Sequence, residues 1–246
     1  MIGEATEAKS AQKMDFFKFV LGPYEFFSSI IGGIPLILAI FLFYNPAISV
    51  QELVLMAKTD FSIQFLVVLF FFSYLLAGLV QGITWKFFLA LCDIFGQSYH
   101  YFKDELIIER DQALQAMNND LDRHTLDFED KLVLLLRKKV GIPKNIGWIY
   151  SRLHTYLKEN NRPSVVTADL YQATHIMYRN ISFGFLLISL VMLLNLIRVR
   201  AMIFEQLVLS AVFVLLAYVA FLRSASFKRW YSREVMLGFY FAASQQ

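Results

Sequence analysis

The chain carries a single cysteine, Cys92, among 246 residues. An intrachain disulfide is therefore excluded, and so is any zinc or iron–sulfur site that needs several thiolates from one chain. Charge is equally scarce, with Asp, Glu, Lys and Arg making up only 17%, against about 25% in an ordinary soluble domain. The four histidines, His100, His124, His154 and His175, include no pair three or four positions apart and no HExxH. P-loop, serine-elbow and Rossmann glycine patterns are also missing, as are a strand signal and an internal repeat at 20–50 residues. No catalytic residue, metal site or cofactor is expected from these absences.

What fills the space is apolar. Hydrophobic residues reach 57%, 25 of them Phe, and the mean hydropathy is +0.51. So much apolar surface in a chain of this length points to a multi-pass membrane protein. Four stretches lack charge: 26–51 (most apolar over 30–44), 61–85, 180–197 and 206–222. About 20 apolar residues cross a hydrocarbon core of about 30 Å, so the expected fold is an all-α integral membrane protein with four transmembrane helices and a helical domain between the second and third. The corresponding division is a cytoplasmic N-terminal segment (1–25), a first hairpin (26–92), a cytoplasmic domain (93–178), a second hairpin (179–222) and an interfacial tail (223–246).

Charged residues from Glu4 to Glu25 precede the first apolar stretch, which fits an uncleaved anchor with an interfacial helix over 15–24. The net charge is only +3, which gives no reason to expect direct DNA or RNA binding. Lys and Arg concentrate in the N-terminal segment, the central domain and the tail. The positive-inside rule then places both termini in the cytoplasm, with the protein in the plasma (inner) membrane. The Arg198/Arg200 pair in the short external turn runs against that rule, and Glu205 is a partner for either arginine.

Within the central domain, Phe102, Leu106, Ala113, Met117, Leu121, Phe128, Leu132 and Leu135 recur at helical spacing, with Arg110 intruding and Asn118–Asn119 as an interruption. The stretch 138–147, with Pro143 and two glycines, reads as a turn, and helices follow over 148–158 and from Ser164 onward.

Three groups of residues are candidates for function. In the apolar stretches, Gln64, Ser73, Gln81 and Asn195 are polar groups that should face helices or water, and Gly78 and Gly82 form a GxxxG spacing suited to close packing. Gly32, Gly33 and Pro35 offer a place to kink. In the central domain, Arg137, Lys138, Lys139, Lys144 and Arg152 could meet an anion, either a lipid headgroup or a nucleotide signal. The same run could equally serve only to fix topology. His124 with Asp120, Asp127 or Glu129 offers carboxylates around an imidazole, and the competing reading is a solvated helix face.

Four spans are too few for a transporter protomer of inverted repeats but enough for a subunit of an oligomeric pore. The function expected is a homo-oligomeric channel or pore-type effector, in contact with membrane lipids and gated by a nucleotide signal or a soluble regulatory protein. The alternatives are a membrane enzyme acting on lipid or cell-envelope precursors, using His124, and a scaffold for a soluble partner. The layout of short apolar hairpins around a soluble helical region resembles small multi-pass membrane effectors of prokaryotic antiviral defence. The resemblance is one of architecture over the whole chain and implies depolarisation of the cell on sensing a signal.

Overall fold

A computed structural model describes residues 23–49, 51–52, 55, 58, 62–101, 104–116, 126–142, 149–199 and 203–244. The interfacial helix expected over 15–24, the stripe residues Phe102, Met117 and Leu121, the Asn118–Asn119 interruption, His124 with Asp120, Lys144 and Arg200 lie outside the described residues. So do the side chains of Leu106 and Ala113.

Eight helices are found among the described residues: α1 (Pro23–Tyr44), α2 (Ile63–Leu79), α3 (Gln81–Phe95), α4 (Asp104–Ala116), α5 (Phe128–Lys139), α6 (Ile149–Glu159), α7 (Ser164–Val199) and α8 (Ile203–Ser244). The expectation of four transmembrane helices is overturned. Two helices, α7 and α8, are long and apolar enough to cross a membrane, and α2 with α3 makes a third only if the bent pair counts as one span.

The physical reasons are local. The apolar part of α1 covers Ser28–Tyr44; at 1.5 Å per residue its 17 residues measure about 25 Å, short of the hydrocarbon core. The apolar stretch 61–85 is not one helix. Ser62 caps α2 by accepting from the Phe65 N–H at 3.2 Å, α2 stops at Leu79, and α3 departs at 59° after Val80. Gly78 and Gly82 flank the break and weaken the helix on both sides of it. By contrast, α7 and α8 run for 36 and 42 residues, because polar residues continue each apolar run as helix rather than ending it.

The chain divides into two compact units. The first comprises residues 1–93 and 173–224, and the second residues 94–172 and 225–246. Helices α7 and α8 therefore contribute to both.

In the first unit, glycines set the packing of α1. A Cβ on Gly33 would overlap the Ser73 carbonyl of α2. One on Gly184 of α7 would sit 2.6 Å from the Pro35 side chain, and one on Gly32 would sit 3.0 Å from the Asn180 Cβ. The Gly32–Pro35 segment is thus where backbones meet, and α1 continues unbroken through Pro35. Farther along, Ala39 and Leu42 pack with Ile188 and Met192.

The second unit has an ordinary apolar core. Leu132, Leu136, Ile149, Leu153, Leu157, Val235, Met236 and Phe239 are its buried centre. Helix α5 is well specified by its ends. Asp127 accepts from the Asp130 N–H at 2.8 Å, Glu129 and Asp130 occupy the first turn, and Arg137, Lys138 and Lys139 occupy the last. Each charge opposes the helix dipole at its own end. Gly141, at φ +73°, closes the helix by donating its N–H to Leu136 O at 2.9 Å.

Candidate functional site

The polar residues of the first unit form a seam rather than a cavity. Helices α7 and α8 are joined at three levels seven residues apart on each. Ser189 and Ser210 share a hydroxyl–hydroxyl bond of 2.7 Å, and Ser182 donates to Ala217 O at 2.7 Å. The His175 Nδ1 and Ser224 Oγ lie 2.9 Å apart. A seven-residue step on both helices is the signature of a coiled-coil-like crossing. Serine and alanine there let the backbones approach while the hydroxyls satisfy one another or a carbonyl, as lipid-facing helices require.

The same principle extends to the other helices of this unit. Ser73, fully buried, donates to Ile30 O. Thr84 donates to Asn180 Oδ1 at 2.9 Å. Asn195 donates to Leu42 O at 2.9 Å, while its Oδ1 is buried with no hydrogen-bond partner among the described residues. Arg198 donates to Phe43 O at 3.1 Å and lies over the Phe43 ring; among the described residues no ion pair joins it to Glu205.

The remaining span candidates face outward. Gln64 and Gln81 are exposed. Gly78 and Gly82 are exposed too, and a Cβ at either would meet nothing within 4 Å. Of the six polar or small span candidates, the structure buries Ser73 and Asn195 and leaves these four on the surface of the bent α2–α3 pair.

The basic candidates belong to the second unit. The Arg137 Nε donates to Asp111 Oδ1 at 2.8 Å, so this arginine is held within the unit. Lys138, Lys139 and Arg152 are exposed. A groove of about 550 Å³ is lined by Leu126, Lys131, Leu134, Leu135, Arg137, Lys138 and Tyr240, giving it an apolar floor and a cationic rim. Arg110, the misfit of the apolar stripe, donates to Asp130 at 2.8 Å and Asp127 at 3.0 Å and also pairs with Glu129. These bonds raise the guanidinium pKa further, the hydrogen bond to Asp130 most. The Asp127 carboxyl is held below its usual range, first by the backbone N–H of Asp130.

Asp127 and Glu129 are thus occupied in capping α5 and holding Arg110. Among the described residues no three His, Cys, Asp or Glu side chains cluster as a metal site. His154 Nε2 lies 2.8 Å from Asp169 Oδ1. His100 stacks on Tyr150 with ring centroids 4.8 Å apart. Burial, aided by the charge of Lys228, pushes the His100 pKa down to about 4.

Sequence reasoning missed the α7–α8 seam. The signal was present as Ser182 and Ser189 on one side and Ser210, Ala217 and Ser224 on the other, each set at intervals of seven. It also missed Arg179, which is only 4% exposed.

The fold and its buried polar seam define a helical, multi-pass membrane protein. Compared with known proteins, the chain matches no family model, no curated protein and no solved structure.

Proposed function

We propose that the protein is a subunit of a homo-oligomeric channel or pore-type membrane effector, gated by a signal received on its second unit. One observation carries this reading. Among the described residues of the first unit, Ser73, Thr84, Ser182, Ser189 and Ser210 bond to neighbouring helices, which leaves few polar groups inside one copy to line a conduit of its own. The polar and small residues that remain, Gln64, Gly78, Gln81 and Gly82, are exposed on α2 and α3, where neighbouring copies could bring them around a common axis.

In this reading α7 and α8 cross the membrane, while α1 and α2 insert together as a short hairpin. Both termini and the second unit then share the cytoplasmic face of the inner membrane, in keeping with their Lys and Arg content. The second unit is the sensor, with Lys138, Lys139 and Arg152 available to a nucleotide or an acidic regulatory protein. A place in antiviral defence follows if opening depolarises the cell.

The test is ion flux from liposomes containing the full chain, with the oligomeric state read in nanodiscs. A multimer whose leak falls several-fold on Gln81→Leu or Gln64→Leu supports the reading. A monomer in nanodiscs, or vesicles that stay tight with every nucleotide and candidate regulatory protein added, overturns it. Protection of cells against phage that disappears with the same substitutions would support the defence role.

A further inference from the structure

Arg179 opens the apolar stretch 180–197 and is buried within the first unit. Its guanidinium carbon lies 5.6 Å from the centre of the Trp85 ring. The Nε and Nη2 atoms are both buried and have no hydrogen-bond partner among the described residues, and no carboxylate among those residues pairs with them. A buried guanidinium is costly unless paired. The two open nitrogens are neighbours along one edge of the guanidinium plane, and that edge is the fork that holds two oxygens of one phosphate.

The surroundings indicate at what level of the membrane this edge lies. Three apolar stretches of the first unit are each bounded by a cation: 61–85 by Lys86, 180–197 by Arg179 and 206–222 by Arg223. The Thr84–Asn180 bond of 2.9 Å and the His175–Ser224 bond of 2.9 Å hold these three ends together. Lys86 and Arg223 are exposed, and Trp85 is the kind of residue that settles at the headgroup boundary. In the same unit Ser28, Ser29, Tyr74, Gln81 and Ile176 line a groove of about 420 Å³. Its residues Gln81 and Ile176 stand one helical turn from Thr84 and Arg179.

We propose that Arg179 is a phosphate-binding residue, taking two oxygens of a phospholipid headgroup or of a free phosphate on its Nε–Nη2 edge. The half-buried Trp85 ring packs on the guanidinium and would have to give way for a phosphate to reach that edge. Lys86 and Arg223 supply the electrostatic field that draws an anion to this level of the membrane. The site rests on the membrane placement of the first unit and not on channel activity, so tight vesicles in the flux assay would leave it standing.

The experiment titrates the full chain, in neutral detergent, with dioleoyl phosphatidylglycerol, with dioleoylglycerol lacking the phosphate, and with inorganic phosphate. Occupancy is read by native mass spectrometry beside the thermal midpoint. The expected result is occupancy by phosphatidylglycerol at about tenfold lower concentration than by dioleoylglycerol, the size of one good charge-assisted contact, with a rise in midpoint. Arg179→Met should lose both the preference and the rise. Arg179→Lys, which keeps the charge without the fork, should weaken the preference and decides the matter if the methionine variant does not fold. Competition by inorganic phosphate would assign the site to phosphate from either source, and its failure would assign the site to the headgroup. Equal occupancy by the two lipids, or a preference unchanged in both variants, overturns the proposal. So does an oligomer lost in the variants with no lipid preference in the parent, since a carboxylate of a second copy would then be the partner.

Discussion

In the unit formed by residues 94–172 and 225–246, Leu136, Leu153, Leu157 and Phe239 are fully buried, while Lys138, Lys139, Arg152 and Lys158 are exposed. The unit formed by residues 1–93 and 173–224 mixes the two kinds, burying polar groups beside Phe88, Ile188 and Phe221. Its buried set includes Ser73, Thr84, Asn180, Ser182, Ser189 and Ser210, and its surface carries Phe65, Val67, Phe71, Phe72, Leu215 and Val219. Of the buried polar or charged residues described, only Ser232 belongs to the second unit. The difference follows from the solvent each unit faces. Water drives apolar groups inward, whereas lipid gives helices no such drive and leaves small residues, hydrogen bonds and close packing to hold them.

Substitutions that remove each kind of cohesion should separate the units by size of effect. The largest loss is expected for Phe239→Ala, which empties the apolar core of the second unit and should cost about 3–5 kcal/mol, read by chemical denaturation in detergent. If Phe221→Ala in the first unit cost more, the contrast would fail. Next is Gly33→Leu. Its side chain has no room beside the Ser73 carbonyl, so α1 and α2 must part, at about 1–3 kcal/mol. Gly78→Leu, with open space around it, should change stability little under the same measurement.

A smaller effect belongs to the serine seam. A double-mutant cycle on Ser189→Ala and Ser210→Ala should give a coupling of about 0.6 kcal/mol, the usual size of a hydrogen bond between membrane helices. A coupling near zero would assign the seam's cohesion to packing alone. At pH 7 the smallest effect is that of His100, which is neutral in both folded and unfolded chains there. Its pKa of about 4 in the fold lies below the ordinary 6.5, so between those values the unfolded chain binds a proton that the folded chain refuses. Stability is then full above pH 6.5 and falls as the pH drops toward 4. His100→Phe keeps a ring against Tyr150 and should flatten the thermal midpoint between pH 6.5 and 4.5; an unchanged slope would place the titration elsewhere.

Several elements were legible from residue patterns. The break before Ser164 and the helix after it follow the local signals, as do the turn at Gly141 and the helix ending at Glu159. The apolar stretches were legible as helix, but their status as spans was not. The number of uncharged residues in 61–85 says nothing of the bend at Val80, because glycines at 78 and 82 permit a break without requiring one. A similar ambiguity covers the two glycine pairs. Gly78 and Gly82 have the spacing of a packing motif and stand open, whereas Gly32 and Gly33 read as a kink and are where α1 meets its neighbours. Spacing along a helix states which residues share a face, not which face finds a partner.

Composition by itself determined that this chain is helical and enters a membrane, since so many Phe, Leu, Ile and Val residues with so few charges have no other place to go. It also determined that the middle of the chain is of a different, water-compatible material. Only the tertiary structure decided how many helices are long enough to cross, which polar groups are consumed in the α7–α8 seam, and that Arg179 is buried with one edge of its guanidinium open. Burial and hydrogen bonding depend on what the opposing helix presents at the same level, and that pairing joins residues tens to more than a hundred positions apart.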